Sequence, residues 1–288
     1  MNVLSLFNGM STGHTALDNV GIRVDKYYSS EIKPHAIELT QHHYPDTIQL
    51  GDITKWVDWD IDYSTIDMVL SGSPCQDLSA AGKRAGLYGS RSSLFFVFID
   101  ILNHIKKLNP DVLFIQENVG SASRGDVGIM SRELGVYPVR INSSLVTAQL
   151  RDRYYWSNIR TKPDGFFGDI VTGIPQPGDK RIILKNVLTS GEPDGVFLTK
   201  HSCLNTGSGT GGGQEALKHR NATTGMITLI NEGGKVRTVN KIEMCRLQGF
   251  PDNWCDTLTK AKAGSLLGDG WTLPIIEHIF SFMDKDKL

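Results

Sequence analysis

Short apolar runs alternate with amphipathic stretches over the first 160 residues of the chain. Residues 3–7 form an apolar strand that ends in Phe7-Asn8-Gly9-Met10-Ser11-Thr12-Gly13, and Ala16, Leu17 and Val20 then recur at helical spacing. A second strand, Lys26 to Ser30, stops at Glu31, and a helix is expected from about residue 34 to 43. The short run 47–50 ends in Gly51-Asp52-Ile53, and Ile66-Asp67-Met68-Val69-Leu70 leads into Ser71-Gly72-Ser73-Pro74-Cys75-Gln76-Asp77-Leu78-Ser79. Leu94, Phe95, Phe98, Ile101, Leu102 and Ile105 mark the core face of a helix over 92–107, which leaves Phe96 and Val97 for the core or a partner subunit. A buried strand at 111–115 ends in Gln116-Glu117-Asn118-Val119, and a further strand covers 137–142. Near-continuous apolar runs alternating with helices predict an α/β fold around a mostly parallel sheet covered on both faces.

Beyond residue 160 the pattern changes. Pro163, Pro175, Pro177, short apolar runs and the tract from Gly207 to Gly213 indicate a smaller, loop-rich region. Helical patterns return at 239–247 and at 275–283, and no internal repeat is visible. Three parts are therefore expected: a catalytic and cofactor-binding domain over 1–160, a small recognition region over 161–260, and a segment, 261–288, that packs back on the first. With the first strand starting almost at Met1, no regulatory domain is expected before it.

Composition narrows the class. At 288 residues, 40% hydrophobic and 21% charged, this reads as an ordinary globular chain with length for a real core. Four cysteines with no CxxC pair point to a reduced, intracellular protein with no structural zinc. The N-terminus lacks the basic region of a signal peptide, and no apolar run reaches membrane-spanning length. Net charge is −1, but residues 160–250 hold 12 Lys/Arg against 8 Asp/Glu, a balance of +4. That mild excess suits contact with phosphates.

Candidate chemistry lies where strands end, the usual ligand edge of an open α/β sheet. The small-residue turn at 7–13 opens a helix whose free N–H groups suit a carboxylate or phosphate. Glu31, at the second strand tip, stands where ribose hydroxyls are commonly bound, and Asp52, at the third, could accept from an adenine amino group. Pro74 restricts the backbone just before Cys75, a thiol placed to act as a nucleophile or simply a small buried residue. Glu117 neighbours the Cys75 strand if the two pair. Arg151 and Arg153, two apart on an extended segment, would point the same way and make a fork suited to an oxyanion.

In this order the motifs resemble those of the DNA (cytosine-5)-methyltransferase family nearly end to end: the cofactor turn 7–13, Glu31, Asp52, Pro74-Cys75-Gln76, Glu117-Asn118-Val119, Gln149-x-Arg151-x-Arg153 and Arg246-Leu247-Gln248-Gly249-Phe250-Pro251. Two departures, Ser11-Thr12 in the first turn and Gly268-Asp269-Gly270-Trp271 in the last block, resemble the animal de novo branch, as does Asp77-Leu78-Ser79; the small size suits a phage or bacterial solitary enzyme. The resemblance implies a Rossmann-like S-adenosylmethionine-dependent methyltransferase sheet with a small loop-rich target-recognition domain. It implies S-adenosylmethionine as cofactor, held by Phe7, Asn8, Gly9, Met10, Ser11, Thr12, Glu31, Ile32, Asp52, Ile53, Ser73, Pro74, Leu94, Asp269, Gly270 and Trp271. Cys75, Glu117, Arg151 and Arg153 would be catalytic, and no metal is implied. Double-stranded DNA would be the partner, met by Lys83, Arg84, Arg91, Gln149, Lys200, Arg220 and Arg237, with the loop 80–91 moving over the site. The cytoplasm of a bacterial or phage-infected cell is the expected location, or the nucleus in a eukaryote. Alternatives are methylation of transfer RNA, a catalytically silent DNA-binding regulator and, more remotely, a Rossmann oxidoreductase. The base that removes the carbon-5 proton, the target sequence and the oligomeric state stay open.

Overall fold

The computed structural model describes residues 1–74, 94–165, 168–195, 198–207 and 228–284. Cys75, Lys83, Arg84, Arg91 and Arg220 therefore lie outside the described residues, as does the 80–91 loop.

Seven strands form the main sheet. They are β1 (Asn2–Leu6), β2 (Lys26–Ser30), β3 (Ile48–Gln49), β4 (Met68–Ser71), β5 (Leu113–Val119), β6 (Val139–Asn142) and β7 (Asp152–Ser157), in the spatial order β3-β2-β1-β4-β5-β7-β6. Strands β1 to β5 pair in parallel, and β7 runs antiparallel to β5. Strand order turns back at β1, whose neighbours are β2 on one side and β4 on the other. Such a reversal opens a crevice at the carboxyl ends of the two central strands. Between the strands run α1 (Thr12–Asn19), α2 (Pro34–His43), α3 (Leu94–Leu108) and α4 (Arg124–Leu134).

The parallel strands read clearly in the sequence because they are buried: Val3, Leu4, Met68, Val69, Leu70 and Ile115 are fully inside. On α3, Phe95, Phe98, Ile99, Ile101, Leu102 and Ile105 face the core. Removing a fully buried Leu, Ile or Phe side chain from water contributes about 1.5–3 kcal/mol, so this helix is held by its packing. Phe96 and Val97, considered above for a partner subunit, are partly buried against the same core cluster.

Two compact units divide the chain: 1–141 with 152–176 and 277–288, and 142–151 with 177–276. The division is discontinuous in sequence, unlike the three consecutive parts expected. Residues 161–176, read as the start of the recognition region, form a hairpin of β8 (Thr161–Asp164) and β9 (Asp169–Thr172) in the first unit. The second unit holds a three-stranded antiparallel sheet of β10 (Glu192–Asp194), β11 (Leu229–Glu232) and β12 (Lys235–Arg237), then α5 (Lys241–Gln248) and α6 (Lys260–Asp269). A last helix, α7 (Leu273–Phe280), begins in the second unit and ends in the first.

Candidate active site

The turn after β1 has positive φ at Phe7 (56°), Gly9 (58°) and Ser11 (60°). Non-glycine residues adopt such values only where the surroundings hold them. Here Asn8 donates to Ser11 Oγ at 2.8 Å and to Thr40 Oγ1 at 3.2 Å, and the Ser11 and Thr40 hydroxyls are 2.8 Å apart. Tyr27 closes the cluster by donating to Asn8 Oδ1. Asn8 and Ser11 thus turn inward and shape the loop, and Met10 is buried. A Cβ on Gly13 would lie 2.3 Å from Leu70 Cδ1, so a larger residue would have to displace the end of the Leu70 side chain on β4. No side chain caps α1. The His14 N–H is directed at the Tyr27 hydroxyl, and those of Thr12 and Gly13 have no acceptor among the described residues, which leaves these two for an anionic ligand.

At the β2 tip, Glu31 Oε2 accepts from Gly9 N–H at 2.8 Å, and its Oε1 accepts from the N–H groups of Ile32 and Lys33. Those bonds lock the acid against the β1 turn. Beyond β3, Asp52 Oδ1 takes the backbone N–H and hydroxyl of Thr54, which hold this carboxyl below its usual range. Its Oδ2 accepts no hydrogen bond among the described residues. Ile53 is buried, whereas Ile32 is 70% exposed beside Glu31. Two acceptor acids at adjacent tips, an exposed apolar face and uncapped N–H donors fit an adenosine joined to an amino acid, the make-up of S-adenosylmethionine. Leu94, the first residue of α3, packs against the core cluster.

Past β4, Ser73 is buried and accepts from Gln116 Nε2 at 2.8 Å and Asn118 Nδ2 at 3.3 Å; half-buried Pro74 follows. Glu117 lies within β5, opposite Tyr155 of β7, and not beyond the strand as its polar neighbours suggested. Arg153 Nε pairs with Glu117 Oε1 at 2.9 Å, and both side chains are nearly buried. Gln116, not among the expected site residues, is an uncharged polar side chain fully buried within β5, a pattern that is an informative signal in sequence.

Arg151 has a different set of partners. Within the second unit its guanidinium donates to the carbonyls of Leu204 (3.1 Å), Gly268 (3.0 Å) and Gly270 (2.8 Å). It thereby gathers the end of α6, where Asp269, Gly270 and Trp271 follow one another. Gln149 is fully buried, donating to Leu247 and Gln248 and accepting from Leu204 N–H. Lys200 donates to the carbonyls of Ser144, Thr147 and Ile182. Arg237 pairs with Glu232 and with buried Glu243. Burial alone would raise the Glu243 pKa, but Arg237 and the donors of Asn240 and Thr189 outweigh it and hold it low. The three residues expected to touch DNA that are described here therefore have partners inside their own unit. No group of His, Cys, Asp or Glu suited to a metal ion occurs among the described residues, and no helix there is long and apolar enough to cross a membrane.

Residues 1–132 match the family model described as C-5 cytosine-specific DNA methylase. The type II methyltransferase M.NgoBV of Neisseria gonorrhoeae is 33% identical over 204 residues, 69% of this chain and 44% of that protein. The chain thus spans less than half the length of that relative. The orphan methyltransferase M.Rho11sI of Bacillus phage rho11s is 32% identical over 175 residues, 56% of this chain and 33% of its own. M1.ScrFI of Lactococcus lactis subsp. cremoris is 27% identical over 298 residues, 92% of this chain and 74% of its own. Among solved structures, the Entamoeba histolytica methyltransferase EhMeth superposes with a TM-score of 0.69 at 14% identity, covering 100% of this chain and 99% of that one. The S. pombe Dnmt2 methyltransferase gives 0.62 at 15% identity, covering 98% and 97%. At those identities the likeness is one of fold.

Proposed function

We propose, from the match of residues 1–132 to the C-5 cytosine-specific DNA methylase family model, that the chain methylates carbon 5 of a cytosine flipped out of double-stranded DNA. The Glu117–Arg153 pair carries the reading, because Glu117 lies on β5, beside the strand that leads into Pro74-Cys75, with Arg153 held to it from β7.

S-adenosylmethionine, when bound, supplies the methyl group that carbon 5 takes once that carbon has become nucleophilic. Glu31 would accept its ribose hydroxyls and Asp52 its adenine amino group, with Ile32 and Phe7 against the apolar faces. Ile53, Leu94 and the block Asp269-Gly270-Trp271 stay in the proposed cofactor set.

The target carbon is unreachable inside a duplex, and extrusion of the base costs a few kcal/mol. In the pocket, the Cys75 thiolate adds to carbon 6 and the displaced electron pair becomes available at carbon 5. Glu117 holds a proton on ring nitrogen 3, which draws electrons away as the thiolate attacks, and Arg153 fixes the Glu117 carboxylate. A base then takes the carbon-5 proton and elimination frees Cys75. Lys83, Arg84, Arg91 and Arg220 are proposed to meet phosphates. Gln149, Lys200 and Arg237 would support the recognition surface from within, and Arg151 the block at 269–271.

The test is methyl transfer from radiolabelled S-adenosylmethionine to duplex DNA and, separately, to a transfer RNA transcript. Label in 5-methylcytosine of the DNA is expected. Label in RNA alone would replace DNA by RNA as substrate, and label in neither would overturn the activity.

A further inference from the structure

The hydroxyl of Ser73 is 4% exposed at residue level and receives two hydrogen bonds from one strand, from Gln116 Nε2 and Asn118 Nδ2. The orientation of both carboxamides is fixed by the backbone. Gln116 Nε2 also donates to the carbonyl of Glu117 at 2.7 Å, an atom that can only accept. Asn118 Oδ1 accepts from Val119 N–H at 2.8 Å, a group that can only donate. Neither amide can turn over without setting like against like. Gln116 keeps this orientation even though its Oε1 is buried without a partner.

A serine oxygen has two lone pairs and one proton. With both lone pairs taken, Ser73 can only donate outward, and its proton has no acceptor among the described residues. Resting on the methyltransferase reading, we propose that Gln116 and Asn118 are positioning residues that aim the Ser73 hydroxyl at the carboxylate of the methyl donor. The strand order supports this acceptor. Glu31 and Asp52, beyond β2 and β3, would take the adenosine, so the amino-acid end would lie towards β1 and β4, the strand that Ser73 follows. The uncapped start of α1 packs against β4 through Gly13 and Leu70 and brings N–H donors to the same end of the ligand.

Calorimetric titration of the full chain without DNA tests the assignment, with S-adenosylmethionine and decarboxylated S-adenosylmethionine as probes. Ser73→Ala should weaken the first about tenfold or more, the worth of a hydrogen bond to a charged acceptor, and the second by less than about twofold. Gln116→Met, similar in volume but without the amide, should give the same selective loss by freeing the Ser73 proton to turn elsewhere, and Gln116→Glu should not restore it, because a carboxylate would capture that proton. Equal affinity of wild type and Ser73→Ala for S-adenosylmethionine, or equal losses for both probes, would overturn the inference. Failure of wild type to bind S-adenosylmethionine at all would instead sink the methyltransferase reading.

Discussion

Arg151 sends its guanidinium to the carbonyls of Leu204, Gly268 and Gly270, while Arg153 faces Glu117. Lysine keeps the charge at either position but not the planar fork. Arg151→Lys leaves buried carbonyls without donors, at about 1–3 kcal/mol each, so urea denaturation should show a clear loss of stability with kcat of the folded enzyme kept within about twofold. Arg153→Lys should lower kcat by about tenfold or more through misplacement of Glu117. A rate loss confined to Arg151→Lys would contradict these roles. The fork expected from sequence rests on alternate residues of a strand sharing a face. Arg151 precedes β7, which starts at Asp152, so the alternation does not extend to it. Glu31, Asp52 and Glu117 were legible because each follows or closes an apolar run. The partners that orient them, Gly9, Thr54 and Arg153, depend on pairings that no local pattern encodes.

Among elements, β1, β2, β4 and α1 to α3 stood out in the sequence, since burial on two faces or along one stripe leaves a strong periodic signal. β5 runs further than its apolar residues suggest, because its pairing with β7 continues through Gln116, Glu117 and Asn118. Strands β10 to β12 are three or four residues long and escaped notice among the glycines. Their unit contains a buried histidine, His201, bridged to Gln149. Burial drives its pKa down to about 4, against a hydrogen bond from the ring to the Ser202 carbonyl. The unfolded chain, near ~6.5 for histidine, takes up the proton first. Stability should therefore fall as pH drops from about 6.5 to about 4, by about 3 kcal/mol at 1.36 kcal/mol per pH unit, and not through this group below that. Urea midpoints between pH 7 and pH 5 check it: His201→Phe should flatten most of the drop, and an unchanged slope would show that another group titrates there.

At the scale of the molecule, the strand order shows how residues far apart in sequence could serve the proposed reaction. Reversal at β1 sets the tips of β1, β2 and β3, proposed to hold the cofactor, on one side and the β4–β5 pair, which leads to Pro74-Cys75 and carries Glu117, on the other. The discontinuous second unit, 142–151 with 177–276, was not legible, because it depends on which chain returns pack together. On the proposed mechanism, Cys75 forms a transient bond to carbon 6 of a flipped cytosine. Duplex DNA carrying 5-fluorocytosine tests it most directly, because fluorine at carbon 5 cannot leave as a proton does and elimination is blocked. With S-adenosylmethionine present, wild-type protein should give a denaturation-resistant protein–DNA adduct with the linkage at Cys75 by peptide mass, and Cys75→Ala should give none. Methylation of ordinary DNA with no adduct on the fluorinated duplex, or an adduct that persists in Cys75→Ala, would contradict it.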